Sequence, residues 1–327
     1  MSSDRIDFLP GSISAYLREI GRGKEGARDL TREQAADLLG QVLDGRVTDL
    51  EVGAFCIAMR VKGESADEMA GFLDATQARL DKVPAGRLPL VVLPSCNGAR
   101  RLPLLTPLLG LLLAREGLPV LIHGTPTESG RVSVEAVLQA LDIAPLTSPR
   151  AVQSGELSFL PTPVLSPALA RLLAVRRTLG LRNPAHSLVK QMNPCDGDAL
   201  IVSSYTHPEY AVSMADVFGR MGSTGLLLRG TEGEPVADPR RQPEMRRFLR
   251  GRLHGTVQAQ AGALTALPDL PIDTDPAGTA RYTRQVLQGQ RPVPAPIRTQ
   301  VECIVRLHLD LHRHLSSRES STPSSAS

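Results

Sequence analysis

The loop Pro94-Ser95-Cys96-Asn97-Gly98-Ala99-Arg100-Arg101 follows the apolar run Leu90-Val91-Val92-Leu93 and precedes a Leu-rich stretch that continues to Ala114. A loop between a strand and a helix N-terminus offers unpaired backbone N–H groups at the positive end of the helix dipole, a natural site for phosphate. A second apolar run, Val120-Leu121-Ile122-His123-Gly124, should end beside it. The loop nevertheless has a single glycine and two arginines, where a phosphate cradle normally has several glycines and a carboxylate for metal.

The densest charge lies in Asp238 to Arg252, which holds Arg240, Arg241, Arg246, Arg247, Arg250 and Arg252 against Asp238 and Glu244. A helix opening at Pro243 would place Arg246 and Arg250 four residues apart with Arg247 beside them, a cationic stripe able to track phosphates. The alternative is a solvated surface segment. A second basic group is Arg171, Arg176, Arg177, Arg182 and Lys190, in which adjacent Arg176 and Arg177 cannot fully share a helix face.

Glu232 and Glu234 could hold magnesium, although the glycine between them and Pro235 after them equally suit a surface turn. His186 reads as a hydrogen-bonded structural histidine. His123, at the carboxyl end of a strand, has a functional location without thereby being catalytic. No nucleophile elbow, P-loop lysine or H-E-x-x-H motif supports a hydrolase or a nucleoside triphosphatase.

The elements that must position these residues form two textures. Up to residue 82 the chain reads as helical, with capping boxes at Thr31-x-x-Gln34, Thr48-x-x-Glu51 and Ser65-x-x-Glu68, each opening an apolar-periodic run. From Val83 onward, short apolar strands (Leu90–Leu93, Val120–His123, Leu200–Ser203, Leu226–Leu228) alternate with helical stretches, which implies a mainly parallel sheet with both faces covered. Residues 166–195 read as helices returning to the N-terminal unit. The fold class is therefore α/β, with a small discontinuous helical domain (1–82 joined by about 166–195) and a larger α/β domain (83–165 and 196–315). A final helix is expected over Ile297 to Leu315, and the Ser-rich residues 316–327 are expected to be a disordered tail.

Composition bounds the partners. The 327 residues are 42% hydrophobic and 22% charged with a net charge of +3, an ordinary globular balance. Aromatic residues are 3% with no Trp, so base stacking cannot dominate any ligand contact. Cys56, Cys96, Cys195 and Cys303 are widely spaced, which indicates neither a zinc site nor a disulfide framework and fits a reduced, cytoplasmic setting. No apolar stretch is long enough to span a membrane.

The pattern Gly45-x-x-Thr48, Gly53-Ala54-Phe55, Arg60-Val61-Lys62-Gly63-Glu64 and Glu68 resembles the helical domain of the anthranilate phosphoribosyltransferase superfamily, glycosyltransferase family 3. The resemblance extends over roughly residues 10 to 310. It implies a nucleoside phosphorylase/phosphoribosyltransferase-like fold and a homodimer formed through the helical domains. The family's G-T-G-G-D-G loop falls on Leu93 to Gly98, so that only Gly98 is kept and the aspartate is Asn97. Its N-I-S-T segment keeps only Thr106, and its K-H-G-N motif keeps His123 and Gly124 while the phosphate-binding lysine becomes Ile122. The metal-binding Asp-Glu pair falls near Pro235-Val236, and the acceptor-side histidine falls on Ser166.

A kept frame with altered chemistry is similar to the YbiB family, relatives that bind nucleic acid, with the segments Arg182–Leu188 and Arg229–Glu234 as its most specific tokens. That resemblance implies a sequence-independent contact with nucleic acid, single-stranded DNA or RNA, through Arg240, Arg241, Arg246, Arg247, Arg250, Arg252, Arg176, Arg177 and Lys190. It implies no catalytic residue and no cofactor, and leaves Asn97, Gly98, Arg100, Arg101, Thr106, His123 and Gly124 as a vestigial phosphate site. The alternative is a phosphoribosyltransferase with an altered acceptor, which would use phosphoribosyl pyrophosphate and magnesium; compensation by Arg100 and Arg101 for the lost contacts is conceivable, because arginine binds phosphate bidentately.

Overall fold

The computed structural model describes residues 12–264 and 267–319. In chain order the elements are α1 (Ser14–Ile20), α2 (Gly23–Gly26), α3 (Arg32–Leu43), α4 (Asp49–Lys62), α5 (Ala66–Gln77), β1 (Leu90–Pro94), α6 (Thr106–Arg115), β2 (Val120–Gly124), α7 (Val134–Ala140), β3 (Leu157–Pro161) and α8 (Thr162–Leu165). They continue with α9 (Pro167–Leu179), α10 (Ala185–Leu188), β4 (Ala199–Tyr205), α11 (Glu209–Met221), β5 (Thr224–Arg229), β6 (Met245–Leu249), β7 (Arg252–Val257), α12 (Pro276–Leu287) and α13 (Ala295–Glu319). Two compact units result: a helical one, the chain up to Leu80 with Ser166–Leu188, and an α/β one, Asp81–Leu165 with the chain from Val189. Residues 189–195, expected with the returning helices, belong to the α/β unit.

In the helical unit all three capping boxes form with both reciprocal bonds, so α3, α4 and α5 each start where the sequence places an N-cap. Ala35, Leu38, Leu39 and Val42 of α3 are buried. They meet α5 at close range: a Cβ on Gly71 would lie 2.1 Å from the Arg32 carbonyl oxygen, so only glycine fits that crossing. Phe55 and Phe72 complete the core edge to face, 5.8 Å between ring centroids. Lys62 is buried against Glu68, which also accepts from the backbone N–H groups of Leu30 and Ser65. A charge pair so deep is tolerated because every group in it is bonded.

The α/β unit is built on a seven-stranded sheet in the order β3-β2-β1-β4-β5-β6-β7. The first five strands in that order are parallel, and β6 and β7 are antiparallel additions at one end. All four strands expected from the sequence form, and β1, β2, β4 and β5 are nearly wholly buried, as strands covered on both faces must be. The main core joins Val91, Leu93, Ile122, Val202 and Leu228 to α6, α7 and α13.

Two expectations are corrected. No helix opens at Pro243: Met245–Leu249 is β6, which pairs with β5 and turns through Arg250-Gly251 into β7. Both turn residues have positive φ, 51° and 80°, the two-residue hairpin turn whose twist matches the strands it joins. An available sheet edge at β5 and the buried Met245 and Phe248 outweigh the helical spacing of the arginines. The last helix also continues past Leu315 to Glu319, where a tail was expected to begin; residues 320–327 lie outside the described residues.

Candidate functional site

At the carboxyl end of β1 the chain turns sharply into the Ser95–Arg101 loop. Two glycines make the turn possible. A Cβ on Gly124 would lie 1.8 Å from the Ser95 carbonyl oxygen, and one on Gly98 (φ 68°) would lie 2.6 Å from the Val132 carbonyl oxygen. Ala99 and Val132 then exchange two backbone hydrogen bonds, 3.0 and 2.8 Å, that fasten the loop to the segment before α7. The loop's N–H groups are thereby presented as an anion cradle.

The anion is supplied by the chain itself. Glu234, wholly buried, accepts from Asn97 N (2.9 Å), Gly98 N (2.8 Å), Thr106 Oγ1 (3.1 Å) and the Ser95 hydroxyl. Glu232 accepts from Arg100 N (3.1 Å), Arg101 N (2.8 Å) and Leu102 N (3.0 Å). Both carboxylates ride on a tight strap after β5, in which Glu232 has φ 53° and Gly233 φ 87°. A left-handed glutamate is costly, and the three N–H bonds it makes offset that cost. The strap is tied from behind, where Lys190 Nζ donates to the carbonyl oxygens of Ser204 (3.1 Å) and Gly233 (3.0 Å). Arg131 sits alongside, 2.8 Å from Glu128 and 3.6 Å from Glu232. Glu232 and Glu234 therefore form no surface turn.

This arrangement does not fit a magnesium–diphosphate group. Pro235 and Val236, near which the resemblance puts the family's metal carboxylates, carry no ligand atom, and Val236 lies in the apolar core. The neighbouring glutamates already accept from the loop's backbone N–H groups, which a diphosphate would otherwise use. Among the described residues no three His, Cys, Asp or Glu side chains gather to hold a metal.

The remaining candidates separate clearly. His123 is fully buried on β2, neither ring nitrogen has a hydrogen-bond partner, and burial pushes its pKa down to about 4, so it is neutral. His186 is structural, its Nδ1 lying 3.2 Å from both the backbone oxygen and the side-chain oxygen of Asn183.

The arginines of 240–252 form no stripe. Arg240 is paired with Asp238 and Arg246 with Glu244, and Arg250 reaches Asp198. Arg241 donates to the Gly262 carbonyl oxygen (2.6 Å). On β6 the side chains alternate: Arg246 shares a face with Phe248, and Arg247 turns to the other face with its Nε buried and unbonded. Arg252 is exposed on β7. Arg176 and Arg177 occupy the last turn of α9 in the helical unit, where they complement the helix dipole. Lys190, part-buried, is spent on the strap.

The sequence reading missed the pairing of Glu232 and Glu234 with the loop. The only available signal was two carboxylates with Gly233 between them and Gly230 just before, after a strand that ends near the loop.

Comparison with known proteins places this geometry. Residues 14–79 match the helical bundle domain of the glycosyl transferase family. Among solved structures, anthranilate phosphoribosyltransferase from Thermus thermophilus superposes with a TM-score of 0.69 at 21% identity, covering 93% of this chain and 96% of that one. The Saccharomyces cerevisiae enzyme in complex with PRPP and Mg gives a TM-score of 0.67 at 16% identity, covering 91% and 88%. YbiB of Escherichia coli strain K12 is 39% identical over 294 residues, 88% of this chain and 91% of that protein. The fold is that of anthranilate phosphoribosyltransferase, and 39% identity to YbiB over most of both chains means that the chain belongs to the YbiB family.

Proposed function

We propose that this chain is a phosphoribosyltransferase-like protein that binds the backbone of nucleic acid and does not turn over phosphoribosyl pyrophosphate. One observation carries the reading: Glu232 and Glu234 accept hydrogen bonds from the backbone N–H groups of Asn97, Gly98, Arg100, Arg101 and Leu102, where the transferase fold would receive a diphosphate. Phosphoryl and diphosphate chemistry depends on preorganised donors, and a donor already bonded to a carboxylate is not available to the leaving group. Phosphate recognition is left to side chains on the surface, which with few aromatics gives sequence-tolerant, salt-dependent binding. A salt series of binding to single-stranded DNA and RNA tests it. The affinity should fall steeply as salt rises; flat salt dependence, or no binding at low salt, would sink the reading.

The comparisons favour a second reading, a transferase with an altered acceptor, because the fold is that of a phosphoribosyltransferase and a solved neighbour holds PRPP and Mg. Its test is calorimetric titration with phosphoribosyl pyrophosphate and magnesium. Micromolar binding would revive it.

For self-association we propose the exposed face of α4. Leu50, Ile57 and Val61 are 83%, 40% and 54% exposed and fall along one stripe of the helix. Placing Asp at Ile57 and Val61 should give a monomer in sedimentation if that face joins two copies; an unchanged dimer would assign the contact elsewhere.

A further inference from the structure

The clasp between strap and loop has a second consequence, for the side chains whose backbone it holds. Glu232 accepts from the N–H groups of Arg100 and Arg101, so its carboxylate is spent on their backbone and not on their guanidinium groups. Both side chains are exposed, and neither has a carboxylate partner among the described residues. Glu234, Glu128 and Asp238 are likewise engaged elsewhere: Glu234 with the loop, Glu128 with Arg131 and Asp238 with Arg240. Across the strap, Arg229 is exposed at the end of β5. It belongs to the same neighbourhood, because it directly precedes the strap and stands three residues before Glu232, the carboxylate that accepts from the Arg100 and Arg101 N–H groups. The old cradle is thus inverted, with its backbone donors closed inside and its cations displayed outside.

We propose that the rim of this filled cradle, Arg100 and Arg101 with Arg229 across the strap, is the surface on the α/β unit that contacts nucleic-acid phosphates. The inference rests on the nucleic-acid reading above and relocates its contact from the 240–252 segment. Guanidinium groups meet phosphate oxygens two at a time, and the backbone beneath Arg100 and Arg101 is already immobilised by the clasp, so little ordering remains to be done on binding. The arginines of the hairpin lack this readiness. Arg240, Arg246 and Arg250 would each have to give up a carboxylate first.

The test uses the full chain and labelled single-stranded DNA and RNA oligonucleotides, titrated over a salt series. Three proteins are compared: the wild type, Arg100→Ala/Arg101→Ala, and Arg246→Ala/Arg250→Ala. Because the substituted side chains at 100 and 101 are exposed and their N–H groups remain, that variant should keep its thermal midpoint, which a melting curve checks. The rim variant should lose about tenfold or more in affinity at low salt, on the order of the phosphate contacts removed, and its log–log salt slope should shrink by about 1.4. Arg100→Lys/Arg101→Lys should recover most of the slope, since it restores the charges. The hairpin variant should bind like the wild type.

A rim variant that binds with an unchanged slope, or a hairpin variant that alone loses it, would overturn the proposal while leaving nucleic-acid binding intact. A wild type that binds no oligonucleotide would instead remove the reading beneath it. Inorganic pyrophosphate supplies the last arm. If it displaced the oligonucleotide at micromolar concentration, the rim would be a site for a small free phosphate and the proposal would fall.

Discussion

The loop after β1 and the hairpin β6–β7 both attract attention as phosphate-binding regions, and the structure treats them in opposite ways. The loop keeps the geometry of an anion site but has its anion built in, through Glu232 and Glu234. The hairpin keeps the charge, but its arginines are divided between two sheet faces and tied to Asp238, Glu244 and Asp198. Charge density along a sequence therefore says little until the partners are known, whereas the backbone geometry of the loop declares an anion site by the carboxylates it holds.

The comparison would break first at Glu234. Replacing it with Ala leaves Ser95 Oγ, Asn97 N, Gly98 N and Thr106 Oγ1 without an acceptor in a buried site, and should cost about 4 kcal/mol in urea denaturation. A loss below about 1 kcal/mol would mean that water or another group replaces the carboxylate readily. The second effect is one of pH. His123 has a folded pKa of about 4 against an ordinary 6.5, so the folded protein binds fewer protons than the unfolded chain. The stability this contributes is complete above about pH 6.5 and is lost as pH falls toward 4, up to about 3 kcal/mol. His123→Leu should flatten that part of the stability–pH curve, and an unchanged curve would show that His123 does not titrate as described.

Gly124→Ala is expected to cost about 2 kcal/mol or more, since its Cβ meets the Ser95 carbonyl oxygen and one backbone must move. Thermal melts that overlay the wild type would show that the turn has room for a methyl group. The smallest effect sharpens the other side of the comparison. Arg246→Ala and Arg250→Ala each break a half-exposed ion pair and should change stability by less than about 1 kcal/mol. A larger loss would make the hairpin arginines structural anchors.

Much of the frame was legible in the sequence. The capping boxes at Thr31, Thr48 and Ser65 are local, three-residue events, and all form. The strands Leu90–Leu93, Val120–His123, Leu200–Ser203 and Leu226–Leu228 are apolar because both their faces are covered, which composition reports directly. β3 and the hairpin were not legible. Leu157–Pro161 is short and mixed, and Arg246 and Arg250 carry a helical spacing that only the edge of β5 overrules.

The candidate site divides along the same line. Sequence alone located the loop between a strand and a helix, and the family resemblance added the expectation that Gly98 and Gly124 are kept while Asn97 and Ile122 replace an aspartate and a lysine. It could not show that Glu232 and Glu234 reach back across more than a hundred and twenty residues to the N–H groups of Asn97, Gly98, Arg100, Arg101 and Leu102. Local propensity and periodicity are properties of neighbouring residues, while a hydrogen-bonded carboxylate is chosen by whichever backbone the sheet order brings beside it. That order, β1 next to β4 and β4 next to β5, is what brings the strap after β5 to the loop after β1.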